Sequence, residues 1–404
     1  MAALKSNQSE ILKNVYDKMI VEAQNLSADL LDKISKAAER PKTGGAQFVI
    51  ALNDYGNESA KAINEDDDFG TTTSEHYINP VVNAKITVAP FSMSGLARAV
   101  SEGDDMAFAQ VAAQEMKRSK DRLRATENRM LFGYGTGLLA TQVGAVSGQT
   151  ITVDSVQYLR VNMIIDICTA GSATETASSV KISAINPSTK VVTLVGTISS
   201  ALDTNEFVLE NTRASQPSDG KEMMGLRGIC DNGTDVATFE GISVSGKPVW
   251  QATRTDASSA SLTEDMLQQL IDDVAIRSGE DVDTLVTHRK QRRKALDIAT
   301  PQKRYNDGSL ALGHKDISFN GLSLFLDKDA QPDTIYAFPL KQLLMFEIEP
   351  IKLGREDGSD VFLRTTNTDT FQAYWRHYAN FGVRKRNCFG KLVSLAVPTS
   401  GVLA

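Results

Sequence analysis

Apolar residues recur at helical spacing through residues 8–40, at Ile11, Val15, Met19, Leu26, Leu30 and Ile34, and the pattern stops at Arg40 before Pro41 and Gly44-Gly45. This predicts an amphipathic arm on a flexible joint, either packed on another subunit or a distant part of its own chain, or lying as a lone surface helix. Beyond the joint, Phe48–Leu52 and Ala84–Val88 read as two short strands. Residues 53–83 between them hold almost no core material. Loops longer than ~12–15 residues without structure of their own are usually functional or disordered. Residues 48–88 are therefore expected to form a long two-stranded excursion away from the body. Its middle, Glu65-Asp66-Asp67-Asp68, is acidic and reads either as a solvated loop tip or as a docking site for a basic neighbour.

Residues 102–132 carry the clearest helical pattern. Ala109, Met116, Leu123 and Met130 recur every seven residues, and Ala113 fills an intermediate row. Acids dominate the first half and bases the second, which suits the helix dipole. At ~1.5 Å per residue the helix is about 45 Å long, the dimension of a spine rather than of a small-domain helix. Past Gly133-Tyr134-Gly135-Thr136-Gly137 the composition shifts to Val, Thr, Ile, Ser and Gly, and helical periodicity is lost until about residue 220. Ser147-Gly148 separates two β-rich runs there, and Asn186-Pro187-Ser188 separates Val180–Ile185 from Val191–Ile198, so this stretch reads as hairpins of a small all-β insertion. A second helix is predicted over 262–278, opened by a Ser261-Leu-Thr-Glu264 capping box, closed at Gly279, and burying Leu262, Met266, Leu270 and Val274. Then follow a strand at Thr284–Thr287, a basic helical segment, strands near Leu322–Leu326, Thr334–Phe338 and Met345–Ile348, and a closing sheet over 369–397. No internal repeat is visible.

Composition narrows the function classes. A chain of 404 residues, 41% hydrophobic and 23% charged, is sized for two to four globular domains. A formal charge of −7 argues against a surface built throughout to track a phosphate backbone. Cys168, Cys230 and Cys388 are far apart and form neither a disulfide framework nor a Cys-x-x-Cys clip, so isolated thiols in a reducing compartment are expected. No signal peptide and no apolar run near ~18 residues is present, and a soluble, cytoplasmic chain is the expectation.

Candidate chemistry is sparse. Gly133–Gly137 follows a helix, whereas a dinucleotide loop follows a strand and opens a helix. The acidic run fails as a calcium loop, because Phe69 would occupy a ligand position and His76 that of the bidentate Glu. His76, His288, His314 and His377 are scattered, with no His-Glu-x-x-His pair and no Gly-x-Ser-x-Gly elbow. No catalytic, cofactor or metal residue is therefore assigned. The densest basic run, Arg289, Lys290, Arg292, Arg293 and Lys294, reads as a solvated helix face or as a polyanion contact, and Lys303-Arg304 and Arg384-Lys385-Arg386 give two further basic spots.

The order of elements and several strings resemble the major capsid proteins of tailed bacteriophages with the Hong Kong 97-type shell fold. ENRMLFGYGTGLLA (127–140) is similar to that family's spine-helix exit in members with an inserted β domain. EMMGLRGICDNGT (222–234) and PVWQA (248–252) are similar to the return from the insertion. DTLVTHRKQRRKAL (283–296), LFLDKDAQPDTIYAF (324–338) and FQAYWRHYANFGVRKRNCFGKLVSL (371–395) are similar to the axial-domain helix, strand and closing sheet. The likeness spans about residues 45–397.

The resemblance implies an α+β Hong Kong 97-like capsid fold. Residues 1–45 would be an N-terminal arm, 46–100 an extended loop over a neighbour, 101–140 with 222–282 a peripheral domain containing the spine helix, 141–221 an inserted all-β domain, and 283–404 an axial domain with closing strands returning to the peripheral domain. It further implies a structural subunit, not an enzyme, without cofactors. Copies would form hexamers and pentamers of an icosahedral head around packaged double-stranded DNA, assembled in the host cytoplasm, with a portal, a separate scaffolding protein and a decoration protein as partners and no membrane. Inter-subunit contacts would fall on Glu65, Asp66, Asp67 and Asp68, and a polyanion on Arg289, Lys290, Arg292, Arg293 and Lys294. An encapsulin-like compartment shell is the alternative, and a soluble α+β enzyme a remote one.

Overall fold

The computed structural model describes residues 27–36, 47–57, 59–68, 71–95, 105–144, 148–168, 175–196, 207–210, 220–303, 318–354, 363–364 and 368–398. The chain divides into two compact units, one of Met1–Asp32, Ile86–Asn128 and Ile348–Ala379, the other of Lys33–Lys85, Arg129–Glu347 and Asn380–Ala404.

The first unit is organised on helix α1 (Asp105–Leu131), whose last three residues belong to the second unit. Of the predicted stripe, Leu123 and Met130 are buried and Met116 is half-buried, but Ala125, Glu127 and Asn128, which lie off it, are buried too, so the helix is covered on more than the stripe toward its C-terminal end. The strand Thr370–Val383 is fixed against it by polar bonds. The Trp375 indole N–H donates to the Met116 carbonyl at 3.0 Å, and the buried Nδ1 of His377 lies 2.6 Å from Glu127 Oε1. Arg376 pairs with Glu349 at 3.2 Å, on the neighbouring strand Leu343–Leu353. The sequence predicts helix as far as Arg40, but Leu31–Lys33 is a single 3-10 turn followed by the strand Ser35–Lys36. Tertiary bonding outweighs helical propensity there, because Leu31 N–H donates to Asn128 Oδ1 at 3.4 Å and Leu30 and Leu31 are buried. The remainder of the predicted arm lies outside the described residues.

The second unit holds two larger sheets. One has six strands in the order Thr253–Asp256, Gly390–Val393, Ile335–Phe338, Thr284–Thr287, Leu322–Leu326, Ser318–Phe319. Ile335–Phe338 is buried at every position, as a central strand covered on both faces must be. Helix α2 (Glu264–Ser278) follows Thr253–Asp256 and leads to Thr284–Thr287, and helix α3 (Arg289–Lys303) lies between the parallel neighbours Thr284–Thr287 and Leu322–Leu326; Thr253–Asp256 is itself parallel to Gly390–Val393, far along the chain. Leu262, Leu267, Leu270, Ile271 and Val274 pack with Leu285, Ile335 and Leu392. The α2 cap differs from the expected capping box: Thr263, not Ser261, accepts the Met266 N–H. The helix does end on Gly279, in the left-handed conformation at φ 66°.

The other sheet, also of six strands, is antiparallel throughout and runs Leu138–Thr141, Phe207–Glu210, Ile164–Cys168, Glu175–Asn186, Val191–Leu194, Thr150–Thr152. A bridge between Gln142 and Val153 joins its two outer strands, and the Val143 N–H donates to the Thr152 carbonyl at 2.8 Å, so the sheet closes on itself as a small barrel. Its interior is its own core, with Ile151, Ile165, Ile167, Ile182, Val192 and Val208 fully buried. Gly135 and Gly137, at φ 80° and 73°, turn the chain from α1 into this barrel as the glycine-rich run predicts. Tyr158 O–H donates to the Asp329 carbonyl at 2.5 Å, and Gln157 Nε2 to the Lys328 and Ala330 carbonyls at 2.7 and 3.0 Å, tethering the barrel to the loop before the central strand.

Burial within the α2 core separates two substitutions on one helix. Leu270→Ala, at a fully buried position, is expected to cost ~2–5 kcal/mol of unfolding free energy. Ile276→Ala, at a side chain 82% exposed, should change it by less than ~0.5 kcal/mol, both read from urea titrations followed by circular dichroism.

Candidate functional site

The excursion is a ladder of two short strand pairs, with some side chains buried and others exposed. Gln47–Val49 pairs with Val81–Asn83, and Leu52–Tyr55 with His76–Ile78. The predicted two-stranded excursion is thus present, but its strands break at Ile50-Ala51 and pair with 76–83 rather than with 84–88. Phe48, Ile78 and Val82 are buried, and the Phe48 ring lies 5.2 Å from that of Phe346. Lys247 Nζ and His76 Nδ1 approach Asp54 Oδ2 at 3.2 and 3.3 Å. Val49, Tyr55 and Tyr77 are 62%, 54% and 59% exposed. The Tyr55 ring stacks on His76 at 4.9 Å, which fixes its orientation without covering it.

Two buried ionisable groups clamp the base. The Val81 N–H donates to the Glu240 carbonyl at 2.8 Å, while Glu240 Oε1 accepts the Val383 N–H at 3.2 Å and its Oε2 has no hydrogen-bond partner. Asn380 Nδ2 donates to the Asn83 carbonyl at 2.7 Å. Arg386 is fully buried: Nε, Nη1 and Nη2 donate to the carbonyls of Ile229, Trp250 and Gly228 at 2.9, 3.0 and 2.9 Å, and the guanidinium lies 4.2 Å from the centre of the Phe239 ring. Arg386 therefore corrects the expectation of a basic spot at Arg384–Arg386, and Lys385, bonded to the Ser278 carbonyl at 2.6 Å and to Glu280 at 3.3 Å, is likewise engaged. Three backbone acceptors and an aromatic face compensate a charge that the sequence marks only as basic. Burial pushes the Glu240 carboxyl up to about 8 and lowers Arg386 to about 10, so desolvation outweighs their mutual attraction.

Glu65, Asp66, Asp67 and Asp68 are exposed at the excursion tip, in a turn where Asp67 Oδ2 accepts the Asn64 N–H at 2.8 Å. On α3, Arg289 and Arg293 are exposed, Lys290, Arg292 and Lys294 are half-buried, and Gln291 is buried, donating to the Pro332 and Ala396 carbonyls at 2.8 and 3.2 Å. The basic run is thus one helix side with a polar anchor on the other. Burial first, then the charges of Lys190 and Arg293, lower the proton affinity of Lys290. His288 is held down at about 4 by burial and by Lys290 and Arg289. His377 lies in the first unit, and His314 lies outside the described residues. Among the described residues no group of three or more His, Cys, Asp or Glu could hold a metal, the three cysteines are buried and none is in a disulfide, and no helix is long and apolar enough to cross a membrane.

No protein-family model matches the sequence, and no curated protein matches it. Solved structures do. A chain of the cyanophage A-1(L) capsid asymmetric unit aligns at a TM-score of 0.59 and 10% identity over 96% of this chain and 98% of that one. The capsid of the native GTA particle aligns at 0.52 and 9% over 98% and 99%. The SrpI encapsulin complex of Synechococcus elongatus aligns at 0.50 and 8% over 97% and 95%. The fold is the α+β Hong Kong 97-like capsid fold, across nearly the whole chain.

Glu240 gives the base of the excursion a pH dependence. Its carboxyl is raised in the folded chain, so between the ordinary carboxylate range and about 8 the folded state keeps a proton that the unfolded state has lost. The stabilisation is full at acid pH and is lost as pH rises through about 8. Denaturant midpoints of the Glu240→Gln variant are expected to fall less than those of the parent between about pH 5 and pH 8.

Proposed function

We propose that this chain is the major capsid protein of a tailed phage, building the head shell from copies of itself and enclosing double-stranded DNA. The observation that carries the reading is the excursion: a ladder fixed at its base yet leaving the large side chains of Val49, Tyr55 and Tyr77 exposed. A segment that is ordered by its own chain and apolar toward solvent is suited to lie on a neighbour. The likeness to capsid chains over their full length supports the same reading. In this assignment residues 1–45 are an arm, 46–100 the extended loop, 101–140 with 222–282 the peripheral domain, 141–221 an outward-facing insertion and 283–404 the axial domain. Hexamers and pentamers, a portal, and separate scaffolding and decoration proteins complete the scheme. The role is structural, and the acidic balance of the chain suits a wall that must let DNA pack and leave.

The encapsulin likeness supports a second reading, a compartment shell around cargo enzymes. Negative-stain electron microscopy with light-scattering mass, on the chain expressed alone and with its candidate scaffold, decides between them. Closed particles or hexameric and pentameric rings are expected; co-purified cargo protein would favour the compartment, and a small monodisperse oligomer under both conditions would remove both.

The exposed apolar side chains of the excursion are expected to matter to assembly and not to folding. The variant Val49→Ser with Tyr77→Ser should shift the denaturation midpoint of the unassembled chain little, by less than ~0.5 kcal/mol for each exposed site, and should lower particle yield in sedimentation assays.

A further inference from the structure

A side chain reaching inward from a surface turn closes the base of the excursion. Phe239 pairs with Ile242 in a hairpin whose two turn residues, Glu240 and Gly241, take φ of 49° and 79°. Gly241 is exposed, and glycine or asparagine is the usual occupant of a left-handed turn position. A glutamate kept there despite the steric cost points to a task for its side chain. The carboxyl enters an apolar corner. A Cβ added at Gly382 would lie 2.8 Å from Val82, 2.9 Å from Glu240 Oε1 and 3.0 Å from Phe346, so excursion, hairpin and core meet on that glycine.

The corner is furnished for a neutral group. Oε1 accepts the Val383 N–H at 3.2 Å, and Oε2 is buried with no hydrogen-bond partner. The charged residues on the surrounding elements are Arg384, Lys385 and Arg386 after Val383, Glu347 beside Phe346, and Lys247, which is paired with Asp54 at 3.2 Å; Val81–Asn83 carries none. Among these, Arg386 is the one whose charge acts on the carboxyl, and its nitrogens are committed to the carbonyls of Ile229, Trp250 and Gly228. A carboxylate here has one donor and, among the described residues, no ion pair, whereas the neutral acid needs neither. Glu240 also grips the excursion through its main chain, its carbonyl accepting the Val81 N–H at 2.8 Å. The other tie at the base, Asn380 Nδ2 to the Asn83 carbonyl at 2.7 Å, contains no titratable group.

We propose that Glu240 is a proton-operated latch on the excursion: with its carboxyl neutral, the pair Gln47–Val49 and Val81–Asn83 is held to the end of the strand Thr370–Val383, and with the proton lost that pair opens locally while the rest of the second unit stays folded. The latch belongs to the single chain and does not depend on the shell reading.

Hydrogen exchange of the unassembled full-length chain, read by mass spectrometry as protection factors, tests it. In the parent, Gln47–Val49 and Val81–Asn83 are expected to be less protected than the α2 core around Leu270. Their protection should fall by up to about tenfold per pH unit between about pH 5 and pH 8 and then level off, the slope of one proton released on opening. Glu240→Gln keeps the shape without the titration and should flatten the profile to within about twofold. Glu240→Asn suits the left-handed turn but is too short to reach Val383; it serves if the glutamine variant does not fold, and should give lowered, pH-independent protection. A flat parent profile, or a slope that persists in either variant, would overturn the latch. So would protection at the ladder base equal to that of α2, because the carboxyl would then be freed only by global unfolding. None of these outcomes touches the shell reading, which particle formation decides separately.

Discussion

A guanidinium taken wholly out of water must have every donor answered, and Arg386 meets that demand with carbonyls of Ile229, Trp250 and Gly228 and with the Phe239 ring. Those acceptors lie in the return segment after the barrel, far from Arg386 in sequence. The segment must therefore be folded for the charge to be tolerated, and removing the charge would leave three buried carbonyls unanswered. Lys391 repeats the device nearby in sequence, fully buried against Asp231 at 2.8 Å and Asp235 at 3.0 Å, while Asp231 Oδ2 also accepts the N–H groups of Gly233, Asp235 and Val236. Geometry this specific fixes one arrangement of chain where apolar packing alone would permit several.

The excursion inherits its rigidity from that clamp. Glu240 is engaged twice, its carbonyl by Val81 and its carboxyl by Val383, so both the ladder and the strand Thr370–Val383 are tied to one residue. Close approach adds to the constraint at Gly382, where a Cβ would lie 2.8 Å from Val82 and 2.9 Å from the Glu240 carboxyl. A ladder ordered by such bonds loses less conformational freedom when a partner covers its exposed side chains, which is the condition under which a modest apolar surface can bind well.

Charge is distributed unevenly on an acidic chain. The exposed carboxylates of Glu65–Asp68 stand in the turn of the excursion, whereas α3 carries its basic residues along one side of a helix, so the two signs are set on different elements of the second unit.

The sequence by itself determined the local elements whose physics is local. The seven-residue stripe of α1, the glycines that turn the chain at 135 and 137, the Asn186 turn, the Gly279 stop of α2 and the basic side of α3 are all set by periodicity or by backbone freedom within a few residues. The order of those elements also sufficed to indicate the capsid fold. Tertiary structure decided the rest, because the deciding partners are distant in sequence. The Leu31–Lys33 turn yields its helix to Asn128, the Thr263 cap displaces Ser261, and the excursion strand bends at Ile50-Ala51 to follow 76–83. Arg386 makes the point most plainly. It is a basic residue in basic surroundings, yet it is a buried clamp, since only folding shows which carbonyls it meets.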